Sequence, residues 1–182
     1  EAGCYRPPSK LRVYCRQYDP PGLVGGARPA SGQTVFENAG VRLWHREADP
    51  EIAILSLRGS SQHAVGRAEL DGILEAVARA EADYAALVLW QPRAPFSVGA
   101  NLREVAAALE AGEYDTLEAM VRQFQRATAR MRDAAVPVVA AAQGMALGGG
   151  CEFLMHCDHV VAALETYAGL VEAGVGLIPA GG

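Results

Sequence analysis

This sequence predicts an α/β fold with mostly parallel strand pairing. Five short apolar runs of strand length, near residues 41–47, 51–59, 84–91, 136–144 and 159–165, are separated by turn residues and by stretches of helical spacing. Strands alternating with helices in this way are the signature of parallel sheets covered by helices. The chain has 182 residues, 51% of them hydrophobic, enough for one domain with a real core.

Residues 1–34 differ from the rest. The stretch YRPPSKLRVYCRQYDPPGLVGGARPASGQ is punctuated by Pro and Gly and lacks a helical period. It reads as a linker or extended arm, and its Tyr5, Tyr14 and Tyr18 favour contact with a surface. The globular pattern occupies residues 35–182. VRLWHRE (41–47) and EIAILSLRG (51–59) read as two strands of a hairpin with its turn at Asp49-Pro50. GRAELDGILEAVARAEAD (66–83) places Leu70, Ile73, Leu74 and Val77 on one helical face. YAALVLWQ (84–91) is nearly all apolar, as a strand buried on both faces should be.

Pro92 and Pro95 then break the pattern, and Asn101 is placed to cap a helix running to about Ala111. DTLEAMVRQFQRATARMRDAA (115–135) is the clearest helix. Asp115 and Glu118 resemble a capping box, and Leu117, Met120, Val121, Phe124, Ala127 and Met131 follow at three- and four-residue steps. VPVVAAAQG (136–144) is a fourth strand, a triple glycine leads into a helix ending at His156, and HVVAALE (159–165) is a fifth strand. TYAGLVEAGVGL has no clear period.

The net charge is −5 and no basic stripe is present, which argues against nucleic acid as a partner. No apolar run approaches a membrane span, and the first residues lack a signal pattern. Cys4, Cys15, Cys151 and Cys157 form no CxxC pair and read as thiols of a cytosolic protein. The chain begins at Glu1 and closes on Gly181-Gly182, as a piece of a longer polypeptide would.

The stretch GMALGGGCEF (144–153) carries the most chemistry. A strand, a glycine-rich turn and a helix leave unpaired N–H groups at the helix start, suited to an anion or a polarised carbonyl oxygen. A dinucleotide fingerprint starting at Gly144, with Glu165 as its acidic residue, needs a glycine where Ala146 stands. A phosphate-binding loop needs a Gly-Lys-Ser/Thr that is absent. Close helix–sheet packing explains single glycines more readily than three followed by Glu152. An oxyanion hole fits the triplet, with a second donor from the turn FSVGANL (96–102).

Taken together, FSVGANLREV, PVVAAAQGMALGGGCEFLMHCD and YAGLVEAGVGLIPAGG resemble the enoyl-CoA hydratase/isomerase, or crotonase, family over residues 35–182. The resemblance implies a crotonase-like spiral of ββα units, assembled as trimers or pairs of trimers, that binds acyl-CoA thioesters and stabilises a thioester enolate. Carried over by position, the oxyanion amides are those of Ala100 and Gly149, and the two catalytic carboxyls are Glu152 and Glu172, 20 residues apart. Gly99, Ala100, Asn101, Leu102, Gly148 and Gly149 are the implied substrate contacts. No metal and no cofactor is implied for this domain, coenzyme A being part of the substrate.

The implied reaction is hydration of trans-2-enoyl-CoA to 3-hydroxyacyl-CoA. A Δ3,Δ2-enoyl-CoA isomerase and a non-catalytic acyl-CoA-binding module are the alternatives. The closing motifs are similar to the hydratase portion of two-part fatty-acid β-oxidation proteins. That implies a fused or associated 3-hydroxyacyl-CoA dehydrogenase with its NAD, a homo-oligomer when complete, and a cytoplasmic location. Three departures from the family pattern stand out. Asn101 replaces the frequent Asp, IPAGG replaces Ile-Pro-Gly-Ala-Gly-Gly, and the family's C-terminal helices have no counterpart before Gly182.

Other residues allow plainer readings. Glu152 could be a carboxylate stabilised by a helix N-terminus alone. His156 and His159 with Cys151 and Cys157 match no standard zinc spacing. The stripe of Met120, Phe124 and Met131 is core or acyl-pocket wall. Gln62 and His63 sit where the family contacts coenzyme A, or in a solvated loop.

Overall fold

Buried Val41, Leu43 and Trp44, then Ala53, Leu55 and Leu57, anchor the first three strands. In the computed structural model, which describes residues 32–60 and 62–182, β1 (Gly32–Glu37), β2 (Val41–Arg46) and β3 (Asp49–Leu57) form an antiparallel meander. The expected arm at 1–34 lies outside the described residues except for 32–34, which are the first half of β1. Asn38 Oδ1 accepts the N–H groups of Gly40 and Val41 at 2.8 and 2.7 Å, closing the first turn.

Arg46 pairs with Asp49, so the second turn is Glu47-Ala48 and the expected turn at Asp49-Pro50 is corrected. Pro50 lies at the start of β3, where its missing N–H interrupts no ladder pair.

Parallel pairing begins at β4 (Ala86–Trp90) and continues through β5 (Val138–Ala142) and β7 (His159–Ala162), giving one sheet in the order β1-β2-β3-β4-β5-β7. The expected strand 136–144 is shorter and splits. β5 ends at Ala142, the chain turns at Gly144 with φ +64°, and β6 (Met145–Leu147) pairs in parallel with β8 (Tyr167–Gly169) in a second sheet. The expected strand 159–165 is shorter, ending at Ala162, and all four of its residues are exposed. β4 is fully buried on one face and half-buried on the other.

Helix α1 (Arg67–Asp83) packs Leu70, Ile73 and Val77 inward against β2, β3 and β4. Between β4 and β5 run α2 (Leu102–Glu110) and α3 (Tyr114–Arg132). Phe124, Ala127 and Met131 of α3 are buried with Leu55, Leu87 and Val138 in one core. Each large core side chain contributes roughly 1.5–3 kcal/mol relative to exposure.

α3 starts one residue before the expected capping box. Glu113 stands at the cap without a side-chain bond, Asp115 lies in the first turn, and Glu118 accepts from Arg122 Nε at 2.8 Å instead. That ion pair is exposed and adds little. The last helix, α4 (Gly149–Met155), follows the triple glycine, and a 310 turn spans Glu172–Val175.

Candidate active site

Two turns meet beside the second sheet, and Ser97 joins them. This fully buried residue donates its N–H to Met145 O (3.1 Å) and accepts from Leu147 N (2.9 Å), so the turn after β4 is stitched to β6. Its hydroxyl donates to His63 O at 2.7 Å and accepts from Gly99 N at 3.1 Å. Gly99 then takes φ +85°, and a β-carbon there would stand 2.8 Å from the Gly149 nitrogen and 2.7 Å from Leu147 O. Only glycine adopts this conformation cheaply and lets the two turns approach this closely.

Ala100 forms an isolated parallel bridge with Val65. The bonds of that bridge are Val65 N to Gly99 O and Asn101 N to Val65 O, which leave the Ala100 N–H on the other side. Among the described residues neither the Ala100 nor the Gly149 N–H has a protein acceptor.

The three glycines divide their work. Gly148 carries φ +52° and donates its N–H to Gly169 O at 2.9 Å, which ties β8 to the turn. A β-carbon on Gly149 would run into the Phe124 ring, and one on Gly150 into the Ser97 backbone. The packing explanation therefore holds for two of them, alongside the acceptor-free N–H of Gly149. Phe124 stacks on Phe153 at 5.1 Å between ring centroids, and the pair supports this corner.

A cavity of about 370 Å3 opens onto these amides. Ala100, Leu102, Gly148, Gly149, Glu152 and Glu172 all line it, together with Val105, Met120, Val121 and Phe124 and a closing stretch that includes Leu177, Ile178 and Gly181. Gly99 and Asn101 do not line it. Gly99 is buried beneath the turn, and Asn101 caps α2, its Oδ1 accepting from Arg103 N at 3.3 Å. Asn101 Nδ2 donates to Glu104 at 2.7 Å. The stripe on α3 is shared: Met120 and Phe124 face the cavity, whereas Met131 is core.

Glu152 is 5% exposed and its Oε1 accepts from Gly181 N at 2.7 Å. Burial pushes its carboxyl above the ordinary range; the Gly181 bond pulls back, the Glu172 charge pushes further up, and His156 opposes it. A carboxylate held only by a helix N-terminus would not be buried against a second carboxyl in this way. Glu172 opens the 310 turn. A β-carbon on Gly148 would come within 3.0 Å of its Oε1, and its buried Oε2 has no hydrogen-bond partner among the described residues. Both carboxyls thus face one apolar cavity beside two free amides.

The neighbouring thiols and imidazoles have other work. Burial, then the charges of Glu172 and Glu152, raise the Cys151 thiol, while burial takes Cys157 up to about 12. His156 Nδ1 lies 2.7 Å from Glu152 O, and His159 starts the exposed strand β7. Among the described residues no group of three or more His, Cys, Asp or Glu is placed to hold a metal ion. His63 is buried rather than solvated, with Nδ1 2.7 Å from Pro95 O, whereas Gln62 is exposed. Sequence reasoning missed Ser97, Thr128 and Gly181. A serine two residues before a turn glycine is a signal that could have found Ser97.

Known proteins resemble this chain in sequence and in fold. The enoyl-CoA hydratase/isomerase family profile matches residues 51–182. A probable 3-hydroxyacyl-CoA dehydrogenase of Bacillus subtilis is 34% identical over 148 residues, 81% of this chain and 18% of that protein. A putative fatty acid oxidation complex trifunctional enzyme of Rickettsia felis is 39% identical over 108 residues, 59% of this chain and 15% of that one. The chain thus spans less than a fifth of the length of these relatives.

Among solved structures, an enoyl-CoA hydratase from Polaromonas superposes with a TM-score of 0.69 at 25% identity, over 83% of this chain and 55% of that one. One from Bacillus anthracis gives 0.69 at 26%, over 79% and 55%. These structures carry the crotonase fold expected from the motifs. With the family profile matching residues 51–182, most of its length, this chain belongs to the enoyl-CoA hydratase/isomerase family.

Proposed function

We propose that this site adds water across the double bond of a trans-2-enoyl-CoA thioester to give the 3-hydroxyacyl-CoA. The observation that carries the reading is the pairing of two acceptor-free amides with two carboxyls in one apolar cavity. The thioester oxygen sits between the Ala100 and Gly149 N–H groups. Negative charge that develops there as the enolate forms meets fixed donors, each worth about 3 kcal/mol of barrier.

Glu152 and Glu172 share one water and hold one proton between them. The ionised carboxyl takes a proton as the hydroxide adds to C3, and the protonated one delivers a proton to C2. One water is consumed and no electrons are exchanged. Burial, and after it the Glu172 charge, raises the Glu152 carboxyl, because a charge in an apolar wall beside a second carboxylate is costly. Asn101 caps α2 outside the cavity, and Leu102, Met120 and Phe124 give the acyl chain an apolar wall.

The reaction belongs to fatty-acid β-oxidation in this reading, within a longer protein that also carries a 3-hydroxyacyl-CoA dehydrogenase with its NAD. The names of the Bacillus and Rickettsia relatives support it. The hydratase domain itself uses no cofactor, works as a homo-oligomer and is cytoplasmic. Among the described residues no helix is long and apolar enough to cross a membrane. Incubation with crotonyl-CoA tests the activity: the enoyl absorbance is expected to fall with enzyme concentration. A folded full-length parent that leaves that absorbance unchanged would overturn hydration. The Δ3,Δ2-isomerase reading would then be tested with a 3-enoyl-CoA, and the acyl-CoA-binding reading by calorimetry.

A further inference from the structure

Glu152 depends on a peptide group that belongs to no helix or strand. The Gly181 N–H that bonds it comes from the closing stretch 177–182, and what fixes that stretch decides where the Glu152 carboxyl points. Two side chains of α3, one helical step apart on the same face, reach it. Gln125 Nε2 donates to Ala180 O at 2.9 Å, and that carbonyl belongs to the same peptide unit as the Gly181 N–H. The Thr128 hydroxyl donates to Gly181 O, the carbonyl of the next unit.

Thr128 is fully buried. Its hydroxyl also lies 3.0 Å from Gln125 O and 3.3 Å from Phe124 O, but interior helix carbonyls already receive N–H bonds from the next turn. Gly181 O has no other donor among the described residues, and a buried carbonyl without a donor is costly. The single hydroxyl proton therefore goes to Gly181 O.

We infer that Thr128, seconded by Gln125, is a positioning residue for Glu152: it holds the Gly181 peptide in the orientation that aims its N–H at Glu152 Oε1. The inference rests on the proposed role of Glu152 in the reaction. A bond to the charged carboxylate favours ionisation, and donation to Ala180 O strengthens that bond by polarising the shared peptide. The ionisable groups facing Glu152 are Glu172, Cys151 and His156.

The test compares Thr128→Val, which keeps the volume and removes the hydroxyl, with Thr128→Ser, which keeps the hydroxyl. Glutamate carboxyl carbons are labelled with 13C in the full chain, and the Glu152 signal is assigned by its loss in Glu152→Gln. In Thr128→Val the titration midpoint of Glu152 is expected to move up, and kcat for crotonyl-CoA to fall about tenfold with little change in KM. Thr128→Ser is expected to titrate as the parent does. Gln125→Ala, which loses an exposed bond, should show a smaller shift in the same direction.

A parental Glu152 midpoint in Thr128→Val overturns the inference, and so does an equal shift in Thr128→Ser, which would put the effect in packing. If the parent itself hydrates nothing, the proposed reaction fails, and the carboxyl titration still decides whether Thr128 positions Glu152.

Discussion

Helices α2 and α4 both follow a glycine turn, and their starts are built in opposite ways. α2 is capped by its own chemistry: Asn101 Oδ1 accepts the Arg103 N–H, and only Ala108 of this nine-residue helix is buried. α4 has Gly148 at the cap with no side chain to accept anything, yet Gly149, Gly150, Glu152, Phe153 and Leu154 are all buried. An exposed helix needs a cap because packing contributes little to it. A buried one is held by Phe153 and can leave its first N–H groups to a ligand. The same comparison separates Asn101, which secures a scaffold, from Gly149, which presents a donor.

The largest effects should fall on the carboxyls beside the uncapped end. Glu172→Gln and Glu152→Gln are each expected to lower kcat by about 10²- to 10⁴-fold, the usual span for a lost general acid or base. Steady-state hydration of crotonyl-CoA measures this, with circular dichroism to confirm folding. Near-parental turnover in either variant would remove that residue from the mechanism.

Next comes the contact between the two turns. Gly99→Ala places a methyl group 2.8 Å from the Gly149 nitrogen in a left-handed backbone, so turnover should drop about 100-fold, as when one oxyanion donor is lost. Gly112→Ala is the control. It has φ +70° but no atom within 4 Å of the new methyl, so it carries the backbone strain without the collision. It should cost about 1–2 kcal/mol of stability and leave turnover alone. Equal turnover losses in the two variants would mean that strain, and not the approach of the turns, governs the site.

How far the sequence carried these distinctions follows the same division. The apolar faces of α1 and α3 and the runs of β4 and β5 were legible because buried positions recur at the period of their element. β8 and the 310 turn were not, since Tyr167–Gly169 is three largely exposed residues and Glu172–Val175 is held by backbone bonds. β1 fell across the boundary with the Pro/Gly-rich stretch. At the site, the glycine triplet could be read from residue type and spacing, whereas Glu152, Glu172 and Ala100 were placed by the family resemblance. The bridge to Val65 that leaves the Ala100 N–H free and the clamp on Gly181, which joins residues 53 apart, leave no local mark.

Removing the cap of α2 should be milder than either change at the cavity. Asn101→Ala is expected to cost about 0.5–2 kcal/mol of stability, a fall in Tm of a few degrees for a chain of this size. Turnover should stay within about twofold, because the Ala100 turn is held by Ser97 and Val65 independently of the cap. A 100-fold loss of activity without a matching loss of stability would instead place the Asn101 side chain in substrate binding.

The smallest expected effect concerns what the uncapped end costs the fold. Burial, the first cause of the Glu152 shift, raises its carboxyl above the value it has in the unfolded chain. Folding therefore favours the protonated form. The contribution is fully present below the ordinary glutamate range and is lost as pH rises through the raised native value. Glu152→Gln is neutral at every pH, so its Tm relative to the parent should be higher at pH 8 than at pH 4. Thermal unfolding of both proteins across that range measures the difference. A gap that stays constant with pH would mean that Glu152 is no more costly to ionise in the folded chain than in the unfolded one. A gap that widens with pH identifies Glu152 as a site where stability is traded for a carboxyl poised to exchange protons.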